Sequence, residues 1–439
     1  MIVAFTKDWG DVPTCTTHVL REMGRTMPVL WVESLGLRRP TFSAGSRDLG
    51  RILRRLKRLF HGAQRKENNL WVLSPLLIPK PTAPWHVFLN RLLFRIQSAR
   101  ALRRMRHSID STPDPRLPAE AWRAKAGRSS LEYWCFVPSA VDLLPRHATR
   151  DTRHRLVYYC VDDWGKFENL DGAWLEARER ALLQRADVVF TPAKVLQRKC
   201  EQILRTSNTE HQTSSIERSS PRATRACPPK PLGRRWDTRH VLHIPHGVEH
   251  AKFAAALGEA TRVPADIAGL PKPVIGFYGN LYPWIDFGLI SELARRRPGW
   301  SFVMIGHPYC EVSRLAGLPN VRLLGRREHD DLPAYCKGFD AGIIPYDIKH
   351  PRMESVNPVK TRELLAAGVP VVAADIPELR GMGEDVRLCR GADEWLAALE
   401  EQSRRTDRAV ISDRVKGEDW SAKVAEMRRI VEGVAFSDL

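Results

Sequence analysis

Short, continuously apolar runs alternate with helical patterns along this chain, and they do so in two separate blocks. In the first block, residues 2–5, 29–32, 70–73, 133–137, 156–160 and 188–190 read as strands. Helical patterns over residues 18–25 and 175–186 lie between them. In the second block, residues 274–278, 300–305, 321–324, 341–344 and 369–373 read as strands, with helices predicted over 286–297, 332–337 and 360–367. A strand that is apolar at every position has both faces covered, which is the condition of a parallel sheet with helices on each side. The fold class is therefore α/β, with two Rossmann-like domains facing each other across a cleft. Ligands in such sheets bind beyond the carboxyl ends of the strands, so the strand-to-helix loops are where a site is expected.

Composition divides the chain further. Residues 206–235 are rich in Ser, Thr, Arg and Pro and read as a mobile surface insertion. Residues 254–273, rich in Ala and Pro, read as the linker. The expected organisation is a first domain over 1–253, a second domain over 274–418, and a closing segment, 419–439, that carries an amphipathic helix. Lys and Arg total 69 against 51 Asp and Glu, a net charge of +18. This excludes an acidic solvating protein and favours an anionic partner. The eight cysteines are scattered, without a C-x-x-C pair, which argues against a zinc site or a disulfide framework and for free thiols in a reducing cytoplasm. The longest apolar stretch, residues 70–79, falls far short of the roughly 18–20 residues that span a bilayer. The opening residues read as a first strand rather than a signal peptide.

The most informative run is residues 354–372, ESVNPVKTRELLAAGVPVV. It reads as a loop, a helix, a glycine stop at Gly368 and a buried strand. Asn357 suits the N-cap and Pro358 the first helical position. With Lys360 in the first turn, that helix start is a ready anion site. Glu363 could accept hydrogen bonds from a ribose. The same residues also suit an ordinary capped helix with a solvated Lys and Glu.

The run resembles the donor-site segment of nucleotide-sugar glycosyltransferases with the two-Rossmann GT-B architecture. It is similar to the bacterial polysaccharide-biosynthesis branch of the retaining group (group 1, family 4-like), whose segment reads N-P-x-K-x-x-E-Y-x-A-x-G. Glu363 matches the second glutamate of the retaining group's E-x₇-E pair. Ser355 stands at the first, with Glu354 one residue away, and Leu364 replaces the branch's Tyr. Residues 273–281, PVIGFYGNL, resemble the first strand and glycine turn of the donor domain. There the backbone approaches the diphosphate at Gly279, and Asn280 replaces the usual Arg. Residues 318–327 resemble the strand and loop that close over the base, and 340–346 the strand leading into the donor loop.

The first domain is less distinctive. Gly10 and His18 lie in a loop and helix resembling an acceptor-side glycine loop. Asp162 and Asp163 end a strand within C-V-D-D-W, a segment that recurs in the polysaccharide-type relatives. Either carboxylate could orient an acceptor hydroxyl or act as a base, and either could simply cap the next helical segment. The resemblance places His246 near the cleft on the acceptor side, although a lone His is more often a structural residue.

The basic surplus is concentrated in residues 38–66, where Ile52, Leu53, Leu56, Leu59 and Phe60 fall on one helical face, and again in 89–106. Such helices seek anionic membrane surfaces. A solvated face packed on its own sheet is the plainer alternative. Nucleic acid is not expected, since no reading helix or stacked aromatics accompany the charge. The resemblance implies an enzyme that moves a sugar from a nucleotide-diphosphate sugar to a cell-surface polysaccharide or lipid-linked acceptor, at the inner face of the plasma membrane. No metal and no cofactor are expected, because a helix dipole and basic side chains can neutralise the leaving diphosphate. A nucleotide-sugar epimerase of the same fold and a non-catalytic sugar-nucleotide-binding scaffold are the alternatives.

Overall fold

The computed structural model describes residues 1–10, 13–33, 62–67, 69–78, 83–111, 131–145, 154–167, 170–217 and 241–433. The chain divides into two compact units. One comprises residues 1–244 and 426–439, the other 245–425.

The first unit is built on an eight-stranded sheet. Its strands are β1 (Ile2–Phe5), β2 (Val29–Val32), β3 (Gln64–Glu67), β4 (Leu70–Leu73), β5 (Leu131–Cys135), β6 (His154–Tyr159), β7 (Val188–Thr191) and β8 (Val241–His243), in the order β3-β4-β2-β1-β5-β6-β7-β8. All pairings are parallel except β3 with β4. The central strands are buried at every position, as their unbroken apolar sequence requires. The charged β3 has no apolar signal of its own. It pairs antiparallel along β4, and Arg21 clamps its Glu67 through two hydrogen bonds of 3.0 and 2.8 Å. The helices are α1 (Cys15–Thr26), α2 (Pro84–Ser111), α3 (Gly172–Leu183) and α4 (Lys194–Glu217). Helix α1 starts three residues before the periodic pattern because Thr14 and Thr17 form a capping box. Helix α4 runs to Glu217, so the first part of the expected insertion at 206–235 is helical and the remainder lies outside the described residues.

The second unit holds a six-stranded, wholly parallel sheet of β9 (Val274–Tyr278), β10 (Ser301–Ile305), β11 (Val321–Gly325), β12 (Ala341–Ile344), β13 (Val371–Ala374) and β14 (Val386–Cys389). Its order is β11-β10-β9-β12-β13-β14, so the order reverses between β9 and its neighbours, at the switch point where ligands bind. Around it lie α5 (His250–Ala254), α6 (Phe287–Arg296), α7 (Leu332–Gly338), α8 (Val359–Ala366), α9 (Ala392–Gln402) and α10 (Arg408–Arg414). Residues 254–273 are not a free linker. Ala256 and Ile267 are buried in this unit's core together with Phe253, and the division falls instead at residues 244/245. The closing helix α11 (Trp420–Gly433) starts in the second unit and ends in the first.

Candidate active site

In the second unit, the loops after β9 and β10 and the start of α8 converge. Gly279 has φ 131° and Gly306 φ 156°, backbone that L side chains rarely adopt. A Cβ at Gly306 would collide with the carbonyl oxygen of Gly279. A Cβ on Gly279 would lie 2.5 Å from Lys360 Nζ. The two glycines therefore let the turns close on each other and leave bare backbone facing a lysine. Lys360 Nζ donates to Tyr346 Oη at 3.1 Å and lies 4.9 Å from the Phe277 ring centroid. The ammonium is thus held by one hydroxyl and two aromatic faces, with no carboxylate among these contacts. It keeps its charge available for an anion. Asn280 sits just beyond, its Nδ2 3.5 Å from Tyr282 Oη.

One turn along α8, Glu363 is buried, not exposed as a ligand-facing surface residue would be. Tyr278 donates its hydroxyl to Glu363 Oε2 at 3.2 Å, and His329 Nε2 lies 3.0 Å from Oε1. Burial and the neighbouring Glu363 charge push the Tyr278 phenol well above its usual range, so it stays protonated and donates. Lys252 Nζ reaches His329 Nδ1 at 2.8 Å and Asp330 at 2.5 Å. An ammonium can only donate, so Nδ1 must offer its lone pair and Nε2 carries the proton given to Glu363. A carboxylate has about four lone-pair sites, so two such donors leave capacity for ligand hydroxyls. Tyr278, His329 and Lys252 were not singled out from the sequence. They come from β9, the loop after β11 and α5, and no local pattern links them.

The start of α8 departs from expectation by one residue. Pro358 occupies the cap and Val359 the first helical position. Asn357 does not cap. Its Oδ1 accepts from Arg362 at 2.8 Å, and its carbonyl lies 2.9 Å from His246 Nδ1. Arg362 also donates to Glu418 at 2.5 Å. His246 falls in the second unit, where it lies against the loop entering α8. Ser355 is buried and Glu354 is exposed.

In the first unit, Asp162 and Asp163 follow β6, as expected for residues at a strand's carboxyl end. Asp163 is already engaged. Lys199 Nζ lies 2.7 Å from its Oδ1 and Lys166 3.6 Å from its Oδ2. The same Lys199 bonds Glu179 at 2.7 Å, a wholly buried carboxylate that also accepts from Tyr158 at 2.6 Å. Burial opposes the Lys199 charge, but Glu179 and Asp163 outweigh it and raise its pKa. Asp163 is thus part of an internal ion cluster. Asp162 lies close enough to α1 to reinforce burial in pushing the Cys15 thiol up to about 12. Gly10, with φ 88°, is exposed in the β1–α1 loop, whereas His18 is buried within α1. Among the described residues, no three His, Cys, Asp or Glu side chains come together as a metal site needs, and no helix is long and apolar enough to cross a membrane. The basic segment at 51–60 lies outside the described residues.

Residues 272–403 match the family Glycosyl transferases group 1. A Bacillus subtilis (strain 168) protein, TuaH, described as a candidate teichuronic acid biosynthesis glycosyltransferase, is 30% identical over 196 residues. That match covers 44% of this chain and 46% of TuaH, so it reaches just under half of that relative's length. Solved structures are similar over nearly the whole chain. Sucrose-phosphate synthase from Thermosynechococcus elongatus aligns with TM-score 0.57 and 14% identity, covering 98% of both chains. A UDP-forming trehalose-phosphate synthase from Burkholderia xenovorans aligns with TM-score 0.59 and 13% identity, covering 99% of both. Anabaena HepE, solved with UDP and glucose, aligns with TM-score 0.54 and 13% identity, covering 98% of this chain and 99% of its own. Two Rossmann-like units of this kind are the GT-B fold of these solved structures, and within it residues 272–403 are the part that matches the group 1 glycosyl transferase family.

Proposed function

We propose that this chain is a glycosyltransferase that takes a sugar from a nucleotide-diphosphate donor and passes it to a cell-surface polysaccharide or lipid-linked acceptor. The observation that carries the reading is Lys360 held against the bare backbone of Gly279, one helical turn from Glu363. A diphosphate placed there meets the Lys360 ammonium and the amino end of α8. Glu363, oriented by Tyr278 and His329, accepts from the ribose hydroxyls. As the glycosidic bond breaks, negative charge grows on the leaving diphosphate, and the fixed cation and helix start stabilise it most at that moment. If retaining chemistry applies, the leaving phosphate takes the proton of the attacking hydroxyl and no separate nucleophile is needed. Asp162 orients the acceptor hydroxyl. The reaction needs no metal, because these groups already supply the positive potential. HepE is solved with UDP and the trehalose-phosphate synthase is described as UDP-forming, which makes UDP the first nucleotide to try. The likeness to TuaH, whose name places it in teichuronic acid biosynthesis, supports the polysaccharide reading of the acceptor. An acceptor of that kind suits a protein bound peripherally to the cytoplasmic face of an anionic membrane, and the basic residues 38–66 and 89–106 supply the charge.

The test is calorimetry with UDP, GDP and ADP, followed by transfer assays with the matching nucleotide sugars. The proposal expects one diphosphate to bind and to lose affinity in Lys360→Ala. Binding that is unchanged in that variant would remove the site from the reaction. A nucleotide sugar consumed with no acceptor present would instead indicate an epimerase.

A further inference from the structure

Helix α2 is apolar on two opposite sides. Asn90, Phe94, Ala101 and Met105 are buried. Phe94 packs on Phe5 of the central strand, with ring centroids 5.3 Å apart. At about 100° per residue these four positions share one face of the helix. Trp85, Phe88, Leu92 and Ile96 fall on the other side, within roughly 80° of one another. They are 62%, 66%, 45% and 43% exposed. Leu76, 51% exposed, is tied beside them through paired hydrogen bonds between its backbone and the Gln97 side chain. A contiguous row of large apolar side chains facing water marks a surface that binds something.

The same helix indicates what that is. Continuing along the outward face, Arg103 and Arg106 follow Ile96, flanked by Arg95 and Arg100, and all four are exposed. No Asp or Glu occurs between Pro84 and Ile109. The outward face is therefore apolar and aromatic over its first half and purely cationic over its second. A folded protein partner would need a matching apolar groove that continues into an acidic strip. An anionic bilayer offers both layers everywhere, acyl chains beneath and phosphates above. We infer that α2 is a membrane-docking helix: Trp85, Phe88, Leu92 and Ile96 enter the acyl boundary while Arg95, Arg100, Arg103 and Arg106 lie among anionic headgroups. This rests on, and makes specific, the peripheral membrane reading above. It moves the apolar contact from residues 51–60 to α2.

The test is sedimentation of the full chain with vesicles of phosphatidylglycerol and phosphatidylcholine (1:1) and of phosphatidylcholine alone. The parent should bind the anionic vesicles and be partly released by salt. Replacing Trp85, Phe88, Leu92 and Ile96 together with Ser should lower partitioning at least tenfold. Replacing Arg95, Arg100, Arg103 and Arg106 with Gln should reduce anionic binding to the level on phosphatidylcholine. Replacing Arg51, Arg54, Arg55 and Arg58 with Gln should leave the apolar contribution in place. Melting temperature and UDP binding, followed in every variant, separate loss of docking from unfolding and from failure of the donor-site reading. Parent-like sedimentation of the Ser variant would overturn the inference. So would a parent that ignores vesicles, and so would one that dimerises through this face and becomes monomeric in the Ser variant.

Discussion

Glu363 in the second unit and Asp163 in the first occupy comparable places, each just beyond a parallel sheet, yet their surroundings differ in kind. Asp163 faces two ammonium groups, Lys199 and Lys166, and its charge is cancelled within the fold. Glu363 is held by a phenol and an imidazole, which orient it without a direct cation contact. A carboxylate satisfied by cations contributes to stability, whereas one positioned by polar donors keeps its negative potential for a ligand. The same contrast separates the lysines. Lys199 is ion-paired twice, while Lys360 contacts a hydroxyl and aromatic faces.

The largest effect expected from this contrast is on folding. Lys199→Ala leaves the wholly buried Glu179 without its counter-charge, and breaking such a pair costs about 3–5 kcal/mol. Urea titration should show the loss. Because the Lys199 pKa is raised in the fold, its contribution is complete below the ordinary lysine pKa and disappears only as pH rises through the raised value. A variant as stable as the parent would undo the distinction between the two carboxylates.

Next in size is the proposed donor site. Lys360→Ala and Glu363→Ala should each weaken nucleotide-diphosphate binding by about 1.5–3 kcal/mol, the worth of a charge-assisted hydrogen bond, and abolish transfer. Lys360→Ala should leave the unfolding midpoint near that of the parent. The opposite pattern, a fall in stability with binding intact, would make Lys360 structural.

A smaller effect sharpens the role of His329. If it positions Glu363, His329→Ala should cost about 1 kcal/mol in the preference for UDP over its 2′-deoxy analogue, and His329→Gln, which retains a donor, should recover part of it. Equal losses for both nucleotides would assign His329 to general folding. The smallest effect is none at all: transfer should continue at its full rate in EDTA, and a strict requirement for added manganese or magnesium would count against charge neutralisation by Lys360 and α8.

The parts of this molecule that were legible in the sequence are those whose cause is local. The central strands of both sheets announce themselves because burial on two faces demands an unbroken apolar run, whereas β14, partly exposed at the sheet edge, does not. Lys360, Glu363 and Gly279 stand out because a helix start and a tight turn impose particular residues at particular spacings. Gln64–Glu67 escaped because an edge strand built of charged residues takes its conformation from the ladder on β4. Asn357 was misassigned as a cap because nothing nearby betrays the Arg362 that claims its side chain. His329 and Tyr278 matter only through Glu363, which lies on another element. Residues 89–106 stood out only for their basic charge; Phe94 and Met105 are buried while Trp85 and Phe88 are exposed, and only the folded unit shows which side is which.

The closing helix bears on how the chain is made. Buried Glu132 on β5 accepts from Trp134 on one side and from Arg428 of α11 on the other, while Met427 and Val431 are wholly buried. Arg428 is synthesised almost three hundred residues after Glu132. On the ribosome, the first unit must therefore wait, with a carboxylate and an apolar seat uncovered, until residues 427–431 have been added. The carboxyl-terminal unit, complete at residue 425, has every residue it needs before its elder neighbour does. A chain released early loses the finished form of the unit that was begun first.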